Sequence, residues 1–80
     1  MRKEAIKEAR QALLENETFT GSLSLTSNPD DIRSAANEVL ENCCPNLLED
    51  DMTQIITAAT MSMNSDNFSS FIDRLIEARS

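Results

Sequence analysis

The sequence predicts an all-α protein, a compact bundle of about four helices with one extended or loop segment at residues 18–27. Three observations predict it. From Asn46 to Met63 a helix start signal leads into a run, Met52 to Ser65, that carries no charge and places apolar residues at helical spacing. Asn28-Pro29-Asp30-Asp31 opens a second such run. The one stretch with strand-like alternation stands alone, with no partner strand elsewhere in the chain. The chain of 80 residues allows one domain, residues 1–80, with one modest core. Its expected helices cover about residues 2–16, 29–43, 47–63 and 65–79.

Residues 2–16 form the first helix. Ile6, Ala9 and Leu13 share a stripe that Ala5 and Ala12 widen, among Ala, Glu, Lys, Arg and Gln, all good helix formers. Its bases gather at the N-terminal end and Glu15 and Glu17 at the other, against the helix dipole. This helix therefore needs packing or a partner to hold it, and it is the element expected to be least fixed.

Thr18 to Thr26 alternates Phe19, Leu23 and Leu25 with polar residues. Two readings stand: a loop pinned by its apolar side chains, or a strand that pairs with its copy in a dimer. Gly21, the only glycine, is expected to mark a bend.

The second helix starts firmly. Asn28 caps, Pro29 takes the first helical position and Asp30 and Asp31 fill the first turn. Ile32, Ala35, Ala36, Val39, Leu40 and Cys43 then form the expected core stripe. Pro45 restricts Cys44 and ends the helix near Cys43, which places Cys43 in the core and Cys44 in the turn. The next helix follows at once, so the two are expected to be antiparallel neighbours.

Asn46 and Glu49 have capping-box spacing, and Glu49, Asp50 and Asp51 suit the positive end of the third helix. Leu48, Met52, Ile55, Ile56, Ala59 and Met63 make its main apolar stripe. Leu47, Ala58 and Met61 make a second one, which marks this as the central helix. The last helix, residues 65–79, has Asn64, Ser65 and Asp66 competing as caps. Met63 and Phe68 are spaced for a hydrophobic staple, and Phe68, Phe71, Ile72, Leu75 and Ile76 form its stripe.

The formal net charge of −7 is unevenly placed. Residues 1–17 balance four bases against four acids, and the remainder holds the whole excess. Between Arg33 and Arg74 the acids Glu38, Glu41, Glu49, Asp50, Asp51, Asp66 and Asp73 meet no base in the sequence. Direct nucleic-acid binding and anionic membrane surfaces are disfavoured, because phosphates call for Lys and Arg. A basic protein partner is favoured by long-range attraction. Two adjacent Cys without any His do not make a secreted disulfide scaffold, and no apolar signal core or bilayer-length run occurs. The expected location is cytoplasmic, in a reducing compartment.

Little catalytic chemistry is available. His, Tyr and Trp are absent, and one glycine cannot write a phosphate-cradling loop. A disulfide between Cys43 and Cys44 would be strained, and metal sites want more soft ligands than this pair. The acid groups lack the glycine and the ligand alternation of a helix–loop–helix calcium site. No cofactor, metal or enzymatic activity is expected.

Pro45-Asn46-Leu47, followed by two helices and the terminal pair Leu75-Ile76, is similar to CUE-type ubiquitin-binding modules. Those resemble a three-helix bundle with a Phe-Pro or similar turn and a di-leucine near the end. The resemblance covers roughly half the chain and implies a three-helix arrangement and a ubiquitin partner. Cys44 stands at the usual Phe, Ile76 at the last Leu, and the expected middle helix is about one turn longer.

The primary expectation is a non-catalytic, acidic interaction module, an adaptor or inhibitor, that occupies a basic surface on a protein partner, such as one that itself binds nucleic acid. Its expected binding residues are Glu38, Glu41, Glu49, Asp50, Asp51 and Asp73. Asp66 is set aside as a competing cap. The alternatives are the ubiquitin-type module and a self-associating subunit or homodimer built on Phe19, Leu23, Leu25, Leu47, Ala58 and Met61.

Overall fold

The computed structural model describes residues 2–24 and 27–79, so Leu25 lies outside the described residues. Among these, five helices and no strand occur: α1 (Arg2–Glu15), α2 (Glu17–Ser22), α3 (Pro29–Cys43), α4 (Glu49–Thr60) and α5 (Ser65–Ala78). The all-α bundle is as expected, with one difference in kind. The segment expected to be extended or a loop begins as a short helix.

That helix, α2, is built mostly from poor helix formers and is held by its ends and its packing. Asn16 caps it by accepting from the Phe19 N–H at 2.9 Å, and Glu17 sits in its first turn. The Phe19 ring is fully buried edge-on against Phe68, with centroids 5.2 Å apart. Gly21 does not mark a bend. It lies inside α2 without a positive φ, and a Cβ placed on it meets nothing within 4 Å.

The first helix, expected to be the least fixed element, is instead tied to three others. Ile6, Ala9 and Leu13 are fully buried, and α1 packs against α2, α3 and α5. Its two arginines find acids elsewhere in the chain: Arg2 bonds Asp51 on α4, and Arg10 bonds Asp73 on α5. The dipole mismatch in α1 is thus offset by packing and by cross-element ion pairs.

The helix expected to be central is lateral. α4 packs mainly on α3 and α5, whereas α1 and α3 each pack on three neighbours. The α4 start also differs. Leu48, not Asn46, occupies the N-cap and makes no side-chain bond there, so the capping box does not form. At the other end Met61 and Ser62 donate to the Ala58 and Ala59 carbonyls, and the helix closes at Thr60. The buried Ser62 hydroxyl donates to the Ala58 carbonyl at 2.6 Å. Leu48 and Met63, placed on the main stripe by spacing, are 49% and 54% exposed.

Burial instead follows rows of every fourth residue, which lie nearly one above another on a helix. In α4 the buried row is Asp51, Ile55 and Ala59, continued by Leu47 ahead of the helix start. In α3 it is Ile32, Ala36 and Leu40, continued by Cys44 beyond the helix end. The two cysteines therefore exchange the expected places: Cys44 is buried and Cys43 is exposed. The neighbouring row, Ala35, Val39 and Cys43, flanks the core rather than entering it.

The last helix starts as one of the three competing caps predicts. Asn64 accepts from the Asn67 N–H at 2.8 Å, and Asn67 accepts from the Met63 N–H at 3.0 Å. Asp66 is not the cap and fills the first turn of α5. Phe68 and Ile72 are fully buried, with Leu75 and Ile76 partly so.

Candidate functional site

Six acids were expected to bind a partner, and the fold divides them. Glu38 and Glu41 on α3, with Glu49 and Asp50 in the first turn of α4, are exposed. Among the described residues no basic side chain pairs with any of the four. The Glu41 carboxylate accepts from Asn37 Nδ2 at 3.2 Å, one turn earlier on the same helix.

Asp51 leaves this set. Its side chain is 1% exposed and holds three chain segments together. Oδ1 accepts from Arg2 Nη2 at 2.8 Å and from Arg79 Nε at 2.9 Å, and Oδ2 accepts from Arg2 Nε at 3.2 Å. Hydrogen bonds from Arg2 hold the Asp51 carboxyl below the usual carboxylate range, against the opposing effect of burial, and Arg79 adds to them. The same bond to Asp51 raises the Arg2 guanidinium. Two guanidinium groups around one carboxylate act as a clasp between the start of α1, the start of α4 and the end of α5. The sequence carried the signal, since Asp51 precedes Ile55 and Ala59 by four and eight residues on the row that is buried.

Asp73 also leaves the set as a free carboxylate. Its side chain is 67% exposed, but it is paired with Arg10 from α1. Sequence order hid this base, which lies far away along the chain but next to Asp73 in the fold.

The self-association set is divided too. Phe19, Leu23 and Leu47 belong to the core and are not available to a second copy. For Phe19 and Leu23 this agrees with the reading of the segment as pinned by its apolar side chains, with Phe19 meeting Phe68 from a remote part of the chain. Ala58 and Met61 remain at the surface, with Met61 58% exposed. They line a groove of about 280 Å³ between α4 and α5, together with Phe71 and Leu75. The Arg74 guanidinium lies 5.8 Å from the centre of the Phe71 ring in the same groove.

A larger groove, of about 390 Å³, runs between α1 and α3. Its partly buried apolar residues are Ala12, Ala35 and Val39, which the core stripes leave over. Two exposed carboxylates line it, Glu15 from α1 and Glu38 from α3, and no basic residue does. Asn16, Thr18, Asn42 and Cys43 complete it. Asn16 Oδ1 is already engaged as the α2 cap, and Asn42 Nδ2 donates to the Glu38 carbonyl at 2.8 Å. Glu15 was not among the expected binding residues. The signal that selected Glu38 and Glu41, a carboxylate late in a helix where the dipole disfavours it, applies equally to Glu15.

Burial pushes the Cys44 thiol up, with nearby Cys43 and Glu8 adding to it, so this thiol is held in its unreactive form. Among the described residues no three thiols or carboxylates come together in a way that would hold a metal ion. No helix among them is long and apolar enough to cross a membrane.

Compared with protein-family models, with curated proteins and with solved structures, the chain matches none of them significantly. No family match bears on the ubiquitin-binding resemblance of the sequence.

Proposed function

We propose that this protein is a non-catalytic interaction module. It engages a basic surface on a protein partner through Glu38, Glu41, Glu49 and Asp50. One observation carries the reading. Arg2, Arg10, Arg33 and Arg79 each pair with an acid of their own chain, and none of those acids is one of these four. Among the described residues the chain's internal ion pairs are thus made by Asp30, Asp51 and Asp73, and none of the four α3–α4 carboxylates takes part in one. Glu38 and Glu41 also lie late in α3, where the helix dipole disfavours negative charge. A fold selected for stability alone would not place carboxylates there.

The competing account is a solvated surface kept for solubility. A pull-down from the source cell with the parent and with Glu38→Lys/Glu41→Lys, each at low and high salt, separates the two. The proposal expects a protein retained by the parent, released by salt and lost in the reversed variant. Identical retention by both would contradict it.

A second reading is self-association through the α4–α5 groove, favoured by the exposed Met61 beside Phe71 and Leu75. Light scattering on the purified chain at high micromolar concentration tests it, and a monomer there removes it.

A further inference from the structure

We infer that the α1–α3 groove is the specificity pocket of this binding face, and that its occupant is an Arg or Lys side chain from a basic segment of the partner protein. The inference rests on the binding of a basic partner proposed above and names where one of its side chains goes. Three features converge on this occupant.

The first is a surplus of apolar surface with no core to enter. The α3 stripe splits into two rows, and Ala35 and Val39 lie on the one that faces the groove, opposite Ala12 of α1. These side chains are small. They leave a slot about 390 Å³ in volume, enough for a long unbranched side chain and some flanking backbone. The second feature is charge. Glu15 and Glu38 line the slot from its two opposite helices, with no basic residue among the lining groups to neutralise them. The third is the polarity of the rest. The Asn42 and Thr18 side chains are exposed there and offer hydrogen bonds to a peptide backbone.

A groove that combines small apolar residues with exposed carboxylates from two helices matches the dual nature of Arg and Lys, whose aliphatic stems cover apolar surface while the cationic head stays at the water boundary. An aliphatic side chain would leave the two carboxylates without a counter-charge, and an acidic one would be repelled. Arg has the advantage, because its planar fork offers five donors for two carboxylates on different helices. Another copy of this chain fits poorly, since its net charge of −7 repels itself.

The test uses the full chain labelled with ¹⁵N and a short acetylated, amidated Ala/Ser peptide carrying one Arg, titrated to millimolar concentration. The same peptide with citrulline in place of Arg, a neutral group of the same shape, is the control. The inference expects shifts at the amides of Ala12, Ala35, Glu38 and Val39 with the Arg peptide, and much smaller ones with citrulline. Glu38→Gln keeps the shape and removes one carboxylate, and should weaken binding about two- to fivefold, the range of one exposed ion pair. Asn42→Trp occupies the slot from an exposed position without changing charge and should abolish the shifts. Its own amide spectrum reports whether the fold is retained, and Glu38→Gln carries the test if it is not. Glu77→Lys changes charge on α5, outside both the slot and the proposed binding face, and should leave the groove shifts in place.

Failures of the two readings differ. Arg-peptide shifts confined to Glu41, Glu49 and Asp50, and insensitive to Asn42→Trp, would overturn the groove while leaving the acidic-face proposal intact. No response of the parent to the Arg peptide, at low salt and millimolar concentration, would overturn both.

Discussion

Replacing Asp51 by Asn tests how the fold uses its charges. The substitution keeps size and shape, but it exchanges a carboxylate oxygen that accepts from Arg2 or Arg79 for an amide that can only donate. At least one charge-assisted bond of the three at 2.8, 2.9 and 3.2 Å is lost, together with the charge that balances two guanidinium groups. A hydrogen bond to a charged group contributes about 1.5–3 kcal/mol. Breaking a fully buried ion pair costs about 3–5 kcal/mol, but here the arginine side chains, 46% and 24% exposed, regain water. The expected loss is therefore about 2 kcal/mol, near the lower range. For a domain of this size that lowers Tm by roughly 10 °C, a large share of a stability expected to be only about 3–5 kcal/mol.

The pH dependence has a definite sign. The folded state holds the Asp51 carboxyl below its ordinary value of 3.8, so the clasp contributes fully above that value and is lost as pH falls toward the folded one. Urea melts of parent and Asp51→Asn should run with a constant gap from neutral pH to about pH 5 and converge below about pH 4. Equal midpoints at neutral pH would refute the clasp. A gap that fails to narrow in acid would show that the carboxylate charge is not its source.

Two further substitutions probe the packing. Leu40 is fully buried on the Ile32–Ala36–Leu40 row, so Leu40→Ala should cost about 2–5 kcal/mol; a thermal melt indistinguishable from the parent would contradict the placement of α3. Gly21→Ala should stabilise by about 0.5–1 kcal/mol, because Gly21 lies in a helix with open space where the Cβ would go; a lower Tm would argue against α2 being helical.

How much was legible depended on whether the deciding interaction was local. α3 was readable to the residue because Asn28, Pro29, Asp30 and Asp31 act on neighbouring backbone groups. α5 was readable for the same reason, with three candidate caps within three positions. α2 was not, because its helicity depends on Phe19 meeting Phe68, a contact between segments far apart in the chain. Spacing alone puts Leu48 and Met63 on the α4 stripe, although the helix ends before Met63 and begins after Leu48. Spacing along an assumed helix cannot show where that helix stops.

The candidate site followed the same rule. Exposure of Glu38, Glu41, Glu49 and Asp50 was expected from their positions and is observed. The removal of Asp51 and Asp73 turned on Arg2, Arg10 and Arg79, bases that the folded chain brings to them from its two ends. The α1–α3 groove was invisible for a different reason. Ala35 and Val39 match the period of a core face as well as Ile32, Ala36 and Leu40 do, and only the position of α1 decides which row is covered.

The central claim is that Glu38 and Glu41 are kept for association. Reversing both to Lys should leave the fold intact or more stable by up to about 1 kcal/mol, since positive charge suits the end of α3. Association of parent and reversed chain with the captured basic partner, followed by stopped flow at two ionic strengths, measures the claim directly. The account predicts fast, strongly salt-dependent association for the parent, and a slower rate with a flattened salt dependence for Glu38→Lys/Glu41→Lys. Equal rates for the two chains at low salt would contradict it and leave the acidic face as solvated surface.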